Sequence, residues 1–188
     1  KTNPLRPYLQ AMQSFSDDSN FREFYEQHKQ VYEQQILFYK DTANVLEMKS
    51  WLDKHFPSSN DYNSYKLILS PLVSSNQSFS RFESNGFKEG LAHINYPYMS
   101  DFKKVQAQVS ETSLSVFRGN IAFTEINHGY INPEAEKYRQ EISKSISNRD
   151  LWVEASRGSN YYGGNALFNE YMNWALISLR LLDYVPEA

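Results

Sequence analysis

The chain has 188 residues and a mass of 22.0 kDa, enough to bury a core as one domain, or as one domain with a small helical lobe. A net charge of -3 and a pI near 5.8 supply no basic field for counterion release, and no Lys/Arg stripe interleaves with aromatics, which excludes nucleic acid as an expected partner. The lack of cysteine removes disulfides, thiolate zinc sites and thiol nucleophiles at once, leaving His and carboxylates as the strong metal ligands.

Fourteen Tyr and twelve Phe bring the aromatic share to 15%, which predicts an aromatic-lined core and cleft. No apolar run approaches the roughly 20 residues of a membrane span, so no membrane-spanning segment is expected. The chain opens Lys1-Thr2-Asn3-Pro4 without Met, as a trimmed or mature form would. Residues 1–18 are rich in proline and polar side chains. Ser19/Asn20 then offers a cap for a helix whose apolar and aromatic positions are Phe21, Phe24, Tyr25, Val31, Tyr32, Ile36 and Tyr39. A second helix carrying Val45, Leu46, Trp51 and Leu52 should end near His55-Phe56-Pro57, because proline disfavours helical geometry in the residue before it.

The texture changes after Ser58-Ser59-Asn60-Asp61. Tyr65 to Leu69 reads as a strand stopped by Ser70-Pro71, and Phe79 to Glu83 and Phe87 to Tyr96 read as two strands around a turn at Ser84-Asn85-Gly86. Ser100-Asp101 can cap a helix in which Phe102, Val105 and Val109 share a face. The stretch Ile121 to Tyr130 reads as a helix ended by Asn132-Pro133, and Glu134 to Ile146 as another. Residues 156–165 form a Ser/Gly/Asn/Tyr loop, and from Ala166 to Leu182 apolar positions nearly encircle a helix, which predicts burial. The fold class is therefore α+β: mainly helical, with a small, partly antiparallel sheet preceding the Ile121 helix and the late buried one. An N-terminal helical lobe over residues 1–60 and a core over residues 61–188 are expected to form one compact unit.

On a helix, Thr124 and His128 lie four apart on one face, with Glu125 one step round, the geometry of a His-Glu-x-x-His zinc helix. In such a helix two histidines hold zinc, and the glutamate takes a proton from the zinc-bound water, whose pKa the metal lowers to about 7. The segments Ala122-Phe123-Thr124-Glu125-Ile126-Asn127-His128-Gly129-Tyr130-Ile131-Asn132-Pro133 and Asn169-Glu170-Tyr171-Met172-Asn173-Trp174-Ala175 resemble the two motif helices of the gluzincin group of zinc metallopeptidases. The likeness covers roughly residues 65–182 and is to uncharacterised secreted bacterial domains of this peptidase-like, zincin type. It implies peptide-bond hydrolysis with Glu125 as general base, His128 and Glu170 as zinc ligands, a peptide or protein as substrate or ligand, and an extracytoplasmic location.

Thr124 stands where the first metal-binding histidine belongs, and its neutral hydroxyl is a far weaker zinc donor than imidazole. The three protein ligands drop to two. His93, in the strand-like segment Gly90 to Asn95, is the substitute ligand on chemical grounds, and Tyr161 or Tyr162 could donate a hydrogen bond to an oxyanion. The expectation is a degenerate or altered metal site, with zinc weakly bound or absent. The alternative is a non-catalytic binding protein that uses the aromatic-lined cleft of an ancestral peptidase scaffold. Plainer readings stand beside these: a chance Glu-x-x-His, a Glu170 placed to suit a helix N-terminus, and a His93 hydrogen-bonded within its sheet.

Overall fold

The computed structural model describes residues 4–59, 61–70, 77–95, 110–154 and 163–184, and the chain divides into two compact units, Lys1–Phe38 and Tyr39–Ala188. The expected lobe ran to residue 60, whereas this division falls after Phe38. The physical reason is the second predicted helix, α4 (Val45–His55), which buries Met48, Trp51 and Leu52 in the second unit's core.

The first unit holds a 3-10 turn at Arg6–Tyr8 and helices α1 (Leu9–Asp18), α2 (Phe21–Gln27) and α3 (Lys29–Leu37). The single helix expected after Asn20 is interrupted at His28, whose φ of -102° and ψ of 4° leave the helical basin. Asn20 adopts the left-handed conformation that asparagine tolerates, and its side chain meets Glu23 instead of a helix-start amide. Aromatic rings stack along these helices, Phe24 on His28 at 4.1 Å and Tyr25 on Tyr32 at 5.0 Å between centroids.

In the second unit, Asn44 starts α4 by accepting the Glu47 amide, and the helix stops at His55 as Pro57 requires. Strands β1 (Ser64–Leu69), β2 (Ser78–Ser84) and β3 (Phe87–Ile94) form one sheet in the order β1-β3-β2. β1 runs parallel to β3 and β2 antiparallel to it, so the small, partly antiparallel sheet is present. Asn85 and Gly86 both have positive φ, 51° and 79°, the pair of left-handed residues that a two-residue hairpin turn needs. Among the described strands, β2 lies at the edge of the sheet.

Helix α5 (Glu111–Lys137) lies against this sheet and against α4 and α7 (Gly164–Tyr184). Ser110 accepts the Ser113 amide at its start. Phe123, Ile126 and Tyr130 are buried along it, and Ala92 and Ile94 of β3 are fully buried. The predicted end at Asn132-Pro133 does not occur, since Pro133 sits inside α5. Proline removes one amide donor, so the Gly129 carbonyl lacks its helical partner. The helix continues because Ala135 packs with Ile142, Ile146 and Leu167 in a second apolar cluster. Tyr138 then breaks the chain into the short α6 (Arg139–Ser145).

α7 is amphipathic, not encircled by burial. It buries Leu167, Asn173, Leu176, Ile177 and Arg180, while Tyr171, Trp174, Leu179 and Leu182 are exposed. Arg180 is held by Glu47 and lies 5.0 Å over the Phe123 ring, tying α7 to α4 and α5. Tyr65 of β1 wedges between Gly90 and Gly129, where a Cβ would come within 2.9 Å and 2.5 Å of it respectively. Sheet and helix can approach this closely only because both positions lack a side chain. The Phe102–Val109 stretch and the loop tyrosines Tyr161 and Tyr162 fall outside the described residues. Among the described residues no helix is long and apolar enough to cross a membrane.

Candidate functional site

The close approach at Gly129 sets β2 beside one turn of α5, and α7 closes the other side. Between them lies a pocket of about 420 Å³ lined by Phe79, Thr124, Glu125, His128, Asn132 and Glu170, among others. Glu125, His128 and Glu170, from two helices far apart in sequence, are thus brought together. His128 Nε2 is 3.6 Å from Glu170 Oε1. Glu170 sits in the second turn of α7, past the first turn where a helix dipole acts, so helix-end electrostatics does not account for it.

Glu125 is only 8% exposed. Burial, followed by the nearby Glu170 carboxylate, pushes its carboxyl up to about 7, against a small downward pull from the Thr124 hydroxyl. A group titrating there can hold or release a proton near neutrality, the property a general base or acid requires. Thr124 Oγ1 donates to the Ile121 carbonyl at 2.8 Å and lies 3.5 Å from Glu125 Oε1. Its hydroxyl is engaged with its own helix, a common use of threonine inside a helix.

His128 is packed on several sides. Phe79 stacks over it with centroids 6.5 Å apart, Asn132 Oδ1 lies 3.2 Å from Nδ1, and Asn173 Nδ2 lies 2.7 Å from Nε2. An imidazole carrying its proton on Nδ1 donates to Asn132 and accepts at Nε2, the nearer of its nitrogens to Asn173 Nδ2, which also lies 3.1 Å from Nδ1. Asn173 is 1% exposed, and its carbonyl accepts from the amide of Asn127, which is 0% exposed. Sequence reasoning missed Asn173 and Asn132. A signal existed for both, since Asn173 is one turn beyond Glu170 and Asn132 one turn beyond His128, each on the face of a candidate site residue.

His93 is not brought to this site. Phe79 pairs with Ala92 across the sheet, so Ala92 shares the face that meets α5, and His93, one residue on, points to the opposite face. It is corrected as a substitute ligand by strand alternation alone. Tyr161 and Tyr162 cannot be placed, being outside the described residues.

The donors fit zinc only in part. Ligand distances of 2.0–2.2 Å at a tetrahedral angle put two donor atoms about 3.3–3.6 Å apart, which the His128–Glu170 separation matches. The third corner lacks a donor of comparable strength, because Thr124 is the residue there and its proton points to Ile121. Asn173 also directs an N–H at the nitrogen that a metal would need. Among the described residues no group of three or more His, Cys, Asp or Glu could hold a metal ion. Compared with family models, curated proteins and solved structures, the chain finds no match.

Proposed function

We propose that this chain is a metallopeptidase-like domain with an altered metal site, whose cleft binds a peptide without zinc-dependent cleavage. The observation that carries the reading is the convergence of Glu125, His128 and Glu170 in one pocket, with Thr124 at the position facing His128. A chance Glu-x-x-His would have no reason to meet a carboxylate from α7. The cleft's peptide-binding side is β2, whose Ser78–Phe79 end lines the pocket and which pairs only with β3 among the described strands. Free backbone N–H and C=O groups along a sheet edge can receive an extended chain. The resemblance carries an extracytoplasmic location with it as part of the same proposal.

Zinc content separates this from the enzyme reading, which the His128–Glu170 spacing favours. Parent protein and Thr124→His are equilibrated with micromolar zinc, desalted and assayed for metal and for hydrolysis of a quenched fluorescent peptide pool. The parent is expected to retain well below one zinc per chain and to leave the pool intact. Thr124→His is expected to retain about one, since it restores the second imidazole of the motif. A parent that holds stoichiometric zinc and cleaves, with Glu125→Gln abolishing cleavage, refutes the binding reading.

A further inference from the structure

The pocket at Glu125 does not end at Phe79. A second pocket of about 640 Å³ continues along the same strand, lined by Tyr62, Phe79, Ser80, Arg81, Asn132, Pro133 and Glu136. Phe79 and Asn132 border both, so the two form one groove along β2. Its two ends differ in charge. The first end carries Glu125 and Glu170.

At the other end stands Arg81, an exposed guanidinium that shares the pocket wall with Tyr62. Two carboxylates of this end are already engaged. Glu136 takes two hydrogen bonds from Arg139, one of them at 2.7 Å, and Asp61 is paired with Lys88. Among the described residues no carboxylate lies within ion-pair distance of Arg81. Phe79 and Arg81 are two apart on the strand and therefore point to one face, about 6.6–6.8 Å from each other along it.

We propose that this groove selects an extended peptide bearing an acidic side chain, which Arg81 receives two residues along from the position that faces Phe79 and His128. The proposal rests on the peptide-binding reading of the cleft and adds the chemistry of the occupant. A guanidinium offers a carboxylate a forked pair of donors, and the Tyr62 hydroxyl beside it adds another hydrogen-bonding group. Neighbouring residues on a bound strand alternate faces, so one acidic position is read and the next is not.

The test is equilibrium binding, by fluorescence anisotropy, of labelled random peptide pools of about eight residues. In each pool one position is fixed as Glu, Gln or Lys. At one position the Glu pool is expected to bind about fivefold tighter than the Gln pool, the scale of an accessible charge pair. Arg81→Ala should remove that difference and Arg81→Glu should reverse it in favour of Lys. Arg81 is exposed on an edge strand, and thermal melts of both variants check that the fold is kept. Binding of pools with no Glu preference, or a preference that survives Arg81→Glu, overturns the acidic subsite and leaves the cleft reading standing. If no pool binds at all, the cleft reading falls and the subsite with it.

Discussion

Glu125 offers the sharpest test of the site's electrostatics, through Glu125→Gln followed over pH. In the folded protein its carboxyl titrates at about 7, against an ordinary value of 4.5, because burial and Glu170 both disfavour the charge. Between those values the folded chain holds a proton that the unfolded chain has released. Stability therefore falls as pH rises from about 4.5 through about 7, the direction expected for a raised carboxyl. Full desolvation would make the loss about 3 kcal/mol. The pocket is open to water, which screens the group and cuts the expected loss to about 1–2 kcal/mol. Gln resembles the protonated acid and does not titrate, so the variant lacks this term. Urea unfolding at about pH 5 and about pH 8 should show Glu125→Gln gaining about 1–2 kcal/mol on the parent over that interval. A difference between variant and parent that stays constant across the interval would refute the desolvated pair.

Gly129→Ala should destabilise by about 1–2 kcal/mol in urea melts, because a Cβ there would lie 2.5 Å from the Tyr65 hydroxyl, which outweighs alanine's better helix propensity. In a Tyr65→Phe background the loss should shrink by at least about half, and a cycle showing no coupling would remove the wedge argument. Tyr130→Phe deletes a 2.7 Å hydrogen bond to the Asp53 carboxylate at a fully buried ring, for an expected cost of about 1.5–2 kcal/mol. A change below about 0.5 kcal/mol by the same measurement would contradict that bond.

Local chemistry made much of this fold legible. Proline at 57 marked the end of α4, Phe87 onward read as a strand, and Ser84-Asn85-Gly86 read as the turn that joins β2 to β3. The pocket was foreshadowed by the spacing of Thr124, Glu125 and His128 and by the later Glu170. Other features depend on tertiary context. Pro133 is a strong local stop signal, yet Ala135 and its apolar partners keep the helix going past it. The encircling apolar residues of α7 gave no hint that Trp174 and Leu182 stay exposed while Asn173 and Arg180 are buried. His93 drew attention through its side-chain chemistry, but its position one residue from Ala92 sends it to the far face. Nothing in the sequence singles out Arg81, which strand and helix place in a groove.

The proline within α5 also governs how that helix comes apart. Fraying from Lys137 backwards breaks amide bonds in order, and at Pro133 there is no bond to break. The final turn is joined to the turns that carry Glu125 and His128 by one backbone bond fewer than an unbroken helix would have. Excursions of the chain around Tyr138 and α6 can therefore relax before they reach the polar cluster.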